Sequence, residues 1–568
     1  MKTHCSERFL YLTLPILVCT ALFLLLSSCG GSASSGDSGS DSSSSSPYPQ
    51  PPTIATPLQA SDVQSILQAA IQSVNVPIVA AVTDRLGNML GIACTTLTAP
   101  NRPFSRTTNP CTPATGPGNF GTTPDSQNLA VALARTAAFF SNSQAPLSSR
   151  TVRFISGIHF PPGVINTPNA ALYGIENTNR GCSFNTVSNP TIPPATLIDG
   201  TSPGLGIITG KADTNDSQPF AVNPGGVPLY ASNFVLLGGI GVVAGDLDVA
   251  EYAAFSGSLN TGHLPLSQVP PPGVVVINGV TLPFVNNTTI PPGVSPNPAA
   301  VPLYMSLATN IPPAPLPPND RYLVGPKAGI KLSLTDVNTI VQNARATAML
   351  TRAQIRLPIG ARAQMMISVS DLDGTLLAVY RMTDATVFSI DVSVAKARNV
   401  VYFSNPGGLP GAYSGSSPGY QDLPGVPELG PDGTAVTNRT ISFGAQPLFP
   451  PGINGSSAGP FFGLYTMDTA KACTQGSQPP NPNQNGIVFF PGSVPLYENG
   501  VLVGGLGVSG DGVDQDDFVT GGAVDAACGA GGPCGIPDFQ APTNIRADQV
   551  VIRNVRLPYL KFPRNPTD

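Results

Sequence analysis

The apolar positions of this chain fall into two series that run in the same order. Val63, Ile66, Leu67, Ala70 and Ile71 recur at the three-and-four spacing of a helix with one buried face, and Val337, Ile340, Val341 and Ala344 do the same. Ser61-Asp62 opens the first and Thr335-Asp336 the second, each an N-cap residue followed by an acid where the helix dipole favours one. Next, in residues 76–93 and again in 363–382, an apolar strand, a tight turn and a second strand follow one another. Asp84 with Gly87, and Asp371 with Gly374, supply the turn chemistry. A second helix is spelled VALARTAAFFSN over 131–142 and VAKARNVVYFSN over 394–405, aligned without gaps and identical at seven of twelve positions.

The pairing continues to the ends of both series. Arg150-Thr151 precedes His159-Phe160-Pro161-Pro162-Gly163, and Arg439-Thr440 precedes Leu448-Phe449-Pro450-Pro451-Gly452. The sequence VPLY at 227–230 leads into LLGGIGVV, and VPLY at 494–497 leads into VLVGGLGVSG. Even the tails match, VVINGVTLPF (275–284) against VVIRNVRLPY (550–559). A unit written twice predicts two tandem domains rather than a solenoid, which needs three or more repeats. Helices interleaved with hairpin strands predict an α+β fold: two copies of an antiparallel sheet flanked by helices. Gly/Pro-rich stretches at 100–125, 160–225, 405–430 and 450–490 read as long loop insertions. The expected boundaries are 58–287 for repeat 1, 288–328 for a semi-rigid Pro-rich linker, and 329–563 for repeat 2.

The N-terminus reads as an address. Lys2 and Arg8 precede an apolar run from Phe9 to Leu26, the pattern of a secretory signal peptide over residues 1–28. The ending Leu26-Ser27-Ser28-Cys29 resembles a bacterial lipobox, which implies cleavage before Cys29 and its lipidation, hence the membrane as a partner. Residues 29–57 form a Ser- and Pro-rich tether. Under the sorting rule that accompanies the lipobox, Gly30 in place of Asp favours the outer membrane, with the chain on the periplasmic or cell-surface face.

Composition narrows the chemistry. Of 568 residues 41% are hydrophobic and only 10% charged, with a net charge of −5 and no Lys/Arg cluster, so a nucleic-acid partner is not expected. Three histidines exclude most multi-histidine metal sites. After processing six cysteines remain, Cys94, Cys111, Cys182, Cys473, Cys528 and Cys534, an even number that suggests disulfides in an exported chain without settling their pairing. Gly505–Gly510 spells GxGxxG but closes its repeat instead of opening a βαβ unit, so it reads as a strand packed closely on a neighbour. Gly415–Gly419 matches GxSxG but lies in a Pro/Gly loop, not on a strand-to-helix elbow. The acids Asp511, Asp514, Asp516 and Asp517 offer oxygen ligands for calcium, but a helix start accounts for them without metal. His159 stands out: an imidazole beside Phe160 and two prolines suits the axial bond and the face of a porphyrin, against the plainer reading of a histidine that pins the turn. His263 lies in a Gly/Pro loop and reads as solvated.

At this point the residues resemble a family, the GlcG/HbpS-like haem-binding (also called haem-degrading) proteins. The carriers are SDVQ (61–64), the hairpin DLDGTLLAVYRM with Asp384-Ala385, the helix with Ala395-Lys396-Ala397, and the segment 494–517. The resemblance implies a profilin-like fold in each repeat and haem as the cofactor. Copy two follows the pattern more faithfully: copy one has Thr95-Thr96 for Arg381-Met382, Leu133 for Lys396 and Val243-Ala244 for Ser509-Gly510. In copy two Arg381 is expected to reach a haem propionate and Met382 or Tyr380 to touch the ring. No acid–base pair is visible in the sequence, so haem capture or sensing is expected rather than turnover. The alternatives are a non-catalytic surface-assembly scaffold and, on the family name alone, a haem-degrading enzyme. A homo-oligomer is left open.

Overall fold

Capping boxes start the first helix of each repeat. Helix α1 (Ala60–Gln72) begins after Gln59, whose backbone N–H donates to Asp62 Oδ2 at 2.8 Å, and α5 (Leu334–Leu350) begins after Ser333, whose N–H donates to Asp336 Oδ2 at 2.9 Å. The caps therefore lie two residues before the expected Ser61 and Thr335, and the acids close the caps directly. The computed structural model describes residues 47–95, 126–175, 220–267, 273–308, 320–405, 433–470, 474–475, 483–525 and 538–567. The expected signal peptide, Cys29, the GxSxG match and every cysteine of the chain except Cys94, which is buried in β2, lie outside the described residues. Among the described residues no helix is long and apolar enough to cross a membrane.

In repeat 1, β1 (Ile78–Asp84), β2 (Met89–Thr95), α2 (Ser126–Phe140), α3 (Ser149–Phe154), β3 (Gly226–Tyr230), β4 (Leu236–Ala244) and α4 (Leu247–Leu259) follow in order. Repeat 2 answers with β9 (Met366–Ser370), β10 (Leu376–Arg381), α6 (Phe388–Ser404), α7 (Asn438–Gly444), β11 (Ser493–Glu498), β12 (Val501–Ser509) and α9 (Val513–Val524), plus α8 (Phe462–Ala470) in its long insertion. Each tail is a two-residue hairpin, β5/β6 (Val276–Ile277 with Val280–Thr281) and β13/β14 (Val551–Ile552 with Val555–Arg556). The architecture is α+β, with two five-stranded antiparallel sheets flanked by helices. Alternation along β1 shows why both faces are covered: Ile78, Ala80 and Val82 pack with α1 and α4, while Val79 and Ala81 meet Ala130 of α2.

The segment expected to be a linker is part of both sheets. Strand β7 (Pro302–Leu307) pairs with β2 and completes the order β3-β4-β1-β2-β7, and β8 (Arg321–Val324) pairs with β10 and completes β11-β12-β9-β10-β8. Proline density reads as linker, but both strands sit at sheet edges, where proline is tolerated.

The described residues, all from Pro47 onward, form one compact unit rather than two domains on a tether. One apolar cluster holds Ala138, Phe139 and Phe140 of α2 together with Phe388, Ile390 and Val394 of α6, and Phe140 stacks on Phe388 at 4.2 Å. A charged knot lies beside it. Asp384 accepts from Arg85 Nη2 at 2.7 Å, from Arg356 Nη1 at 2.7 Å and from the Ser143 N–H at 2.9 Å, so both repeats bind one carboxylate. Arg356 also pairs with Asp511, and the Leu357 N–H donates to the Gln144 carbonyl at 2.9 Å. Elsewhere Tyr173 stacks on Tyr465 at 5.2 Å, and Asn166 and Asn454 exchange backbone-to-side-chain bonds of 2.7 and 3.2 Å.

The GxGxxG run is strand interior, as expected. A Cβ at Gly505 would strike the Ala397 carbonyl and one at Gly507 the Ser393 carbonyl, so these glycines let α6 lie directly on β12. Gly239 and Gly241 do the same for α2 in repeat 1.

Candidate functional site

The expected site residues do not converge. His159 is 8% exposed, with Nδ1 3.1 Å from the Thr167 carbonyl, so it braces the turn that carries it. Phe160 meets Phe154 edge-on at 5.9 Å, as Phe449 meets Phe443 at 5.6 Å in the other repeat. Arg381 ends β10 at 1% exposure, and burial with Arg85 nearby pushes its guanidinium down to about 9, against the pull of Asp384 and Asp320. Met382 is 1% exposed, its sulfur accepting from the Met365 N–H at 3.4 Å. None of the four lines the cavities described below. His263, expected to be solvated, is half-buried against Thr261 Oγ at 3.0 Å, and burial lowers its pKa.

What the fold does assemble is an acid–base pair that the sequence reading did not find. Lys396, on α6, donates from Nζ to Asp516 Oδ2 at 3.0 Å and to the Val508 carbonyl at 2.8 Å, with Nζ 5.1 Å from the centre of the Phe490 ring. Both side chains are almost wholly buried, Lys396 at 0% and Asp516 at 2% exposure. Gly492, at φ +118°, makes room: a Cβ there would come within 2.6 Å of Asp516 Cβ and 2.7 Å of Lys396 Nζ. Burial pushes Asp516 up to about 7, with Lys396 pulling it part of the way back, and burial lowers Lys396 against the pull of Asp516. A pair poised this way can hold or pass a proton near neutral pH.

The other acids of the loop have partners of their own. Asp514 binds Arg439 at 2.6 Å and Lys561 at 2.8 Å, Asp517 pairs with Arg439, and Asp511 with Arg356. Among the described residues no group of three or more His, Cys, Asp or Glu is placed to hold a metal.

Of two neighbouring cavities, the smaller is lined in part by Asp516. It is apolar and lies at the seam of the repeats, walled by Phe140, Leu147 and Leu172 from repeat 1 and by Phe388, Phe490 and Asp516 from repeat 2. A larger cleft of about 860 Å³ opens beside it, with Gln354 and Ile355 lining both. Its walls mix Val274, Ile359 and Phe562 with the cations Arg352, Lys561 and Arg564. That volume lies in the usual range of ligand sites.

Comparison with known proteins enters here. No curated protein matches the chain. Among solved structures, a PduOC:haem complex aligns with 34% of this chain over 93% of its own length, at 22% identity and a TM-score of 0.21. Protein ORFY of Klebsiella pneumoniae, of the DUF336 family, aligns with 34% of this chain over 86% of its own, at 19% identity and a TM-score of 0.20. The family model for the haem-degrading protein HbpS-like matches residues 332–525, which hold α5, the β9–β10 hairpin, α6 and the Lys396–Asp516 pair. Over residues 332–525, then, this chain carries the pattern of the HbpS-like haem-degrading family.

Proposed function

We propose that the chain binds haem or a related tetrapyrrole in the cleft beside its second repeat, as a lipid-anchored cell-envelope protein that captures or senses the ligand. The observation that carries this reading is a cleft of about 860 Å³ whose wall takes Arg352, Ile355, Ile359 and Asp514 from the stretch the family model matches, and is completed by Lys561, Phe562 and Arg564 beyond it and by Val274 and Val276 of repeat 1. The lining fits the group: Ile359 and Phe562 offer apolar contact to a macrocycle, and Lys561 and Arg564 offer cations to its propionates. Bound haem would supply a redox-active, visibly absorbing iron. The lipobox at Cys29 supports the anchor, and Gly30 in place of Asp favours the outer membrane, on its periplasmic or surface face.

Titrating the full chain with haemin should raise a Soret band that saturates near one equivalent per chain. Lys561→Glu with Arg564→Glu should weaken binding by about tenfold or more, since each propionate contact is a charge-assisted bond. No Soret band in wild type would sink the proposal. A band whose maximum moves in His159→Ala would relocate the iron to the turn of repeat 1. Cys29→Ala should release the protein from membranes, and an unchanged membrane fraction would refute the anchor.

A further inference from the structure

The small seam cavity has an unexplained feature. Asp516 lines the cavity; its Oδ2 is taken by Lys396, but its Oδ1, also buried, has no hydrogen-bond partner. A buried carboxylate oxygen left unpaired costs about 1–3 kcal/mol or more, so its retention calls for a donor that arrives from elsewhere. The neighbouring walls are almost wholly apolar, with Phe140, Phe388 and Phe490 giving flat aromatic surfaces. The open space, about 40 Å³, exceeds the room for one water and suits the tip of a ligand rather than its body.

Repeat 1 supplies a control at the matching place. Leu133 stands where repeat 2 has Lys396, and Ala250 where it has Asp516. Gly225, at φ +137°, faces both as Gly492 faces the charged pair: a Cβ there would lie 3.4 Å from each of the two side chains. The same packing thus closes with two apolar side chains, so a buried lysine and aspartate are not needed to hold the fold at this position.

We propose that Asp516 Oδ1 is the hydrogen-bond acceptor of a single ligand subsite per chain, which takes a flat apolar group bearing one N–H or O–H donor, with repeat 1 contributing only a wall. The subsite stands on its own geometry and holds whether or not the larger cleft takes a tetrapyrrole.

The test pairs two small rings of similar shape, pyrrole, which carries an N–H donor, and furan, which carries none. Ligand-observed NMR on the full chain, at a pH well above 7 so that Asp516 is ionised, should show saturable pyrrole binding at one site, with furan weaker by about tenfold or more, the scale of one bond to a charged acceptor. Asp516→Asn alters the acceptor, but any single change in the pair risks misfolding, so the deciding variant is Lys396→Leu combined with Asp516→Ala, a combination repeat 1 already accommodates. That variant should fold and bind pyrrole no better than furan. Equal binding of both rings to wild type, no binding of either, two equivalent pyrrole sites, or a preference that survives in the double variant would each overturn the proposal. Haemin is absent from the measurement, so this subsite and the cleft can fail independently.

Discussion

The two repeats differ most where they are most alike in packing. Arg150 of repeat 1 holds Glu251 through bonds of 2.6 and 2.9 Å, and Arg439 of repeat 2 holds Asp517 and Asp514 from the matching positions. At the adjoining helix position, repeat 1 packs Ala250 against Leu133 where repeat 2 buries Asp516 against Lys396. The ion pair that ties a short helix to the last helix of each repeat is present twice. The pair that borders a cavity is present once. A buried pair is weak evidence for stability, because desolvation offsets much of its attraction. Finding the apolar alternative in the same fold therefore points to chemistry at the charged copy.

The largest effect should come from separating the repeats. Residues 320–568, which keep β8, expressed alone would expose Phe388, Ile390 and Phe490 of the shared core and leave Arg356 and Asp384 without Gln144 and Arg85. The fragment should self-associate or aggregate instead of melting as a monomer, which sedimentation will show; a monomeric cooperative domain would mean that the repeats are independent after all.

Asp384 comes next. Asp384→Asn leaves Arg85 and Arg356 with one uncompensated charge and should cost about 3–5 kcal/mol in denaturant melts. Burial alone would raise this carboxyl, but Arg85 and Arg356 together hold it below its ordinary value. Its contribution is therefore complete above the usual carboxylate range and is lost as pH falls through the lowered pKa. The gap between wild type and Asp384→Asn should narrow on acidification, and a gap that widened would reverse the sign. Asp511, raised by burial, drifts the opposite way but is common to both proteins.

The comparison of the pairs is sharpened by a cycle at Lys396. Lys396→Leu alone should destabilise by about 3–5 kcal/mol, since Asp516 is left buried beside an apolar group, while adding Asp516→Ala should restore most of the loss. Equal melting points for the single and double variants would remove the coupling. The smallest contrast should lie in the glycines: Gly241→Ala and Gly507→Ala each press on a helix carbonyl, and each should cost about 1–3 kcal/mol by thermal melt, alike in the two repeats.

The legible part of the fold came from periodicity and internal matching. The apolar spacing of α1 and α5, the hairpins with Asp84 and Asp371 at their turns, and the gapless alignment of α2 with α6 all carry local signals, because burial of one face imposes its period on the sequence. The edge strands β7 and β8 were hidden by proline, which opens β7 at Pro302 and flanks β8 at Pro318 and Pro326, since proline at a sheet edge reads locally like a linker. The substitution of Leu133 for Lys396 was visible, as was the acidic loop, but they were separate observations.

By itself, then, the sequence determined the duplication, the α+β element order and the faithful character of repeat 2, because these follow from short-range spacing and from self-comparison. Only the tertiary structure decided that the repeats share one core, that Asp384 is claimed from both sides, and that Lys396 meets Asp516 across 120 positions of chain. Such contacts depend on how helices and sheets stack, and a stack of layers leaves no period in the sequence that would link their partners.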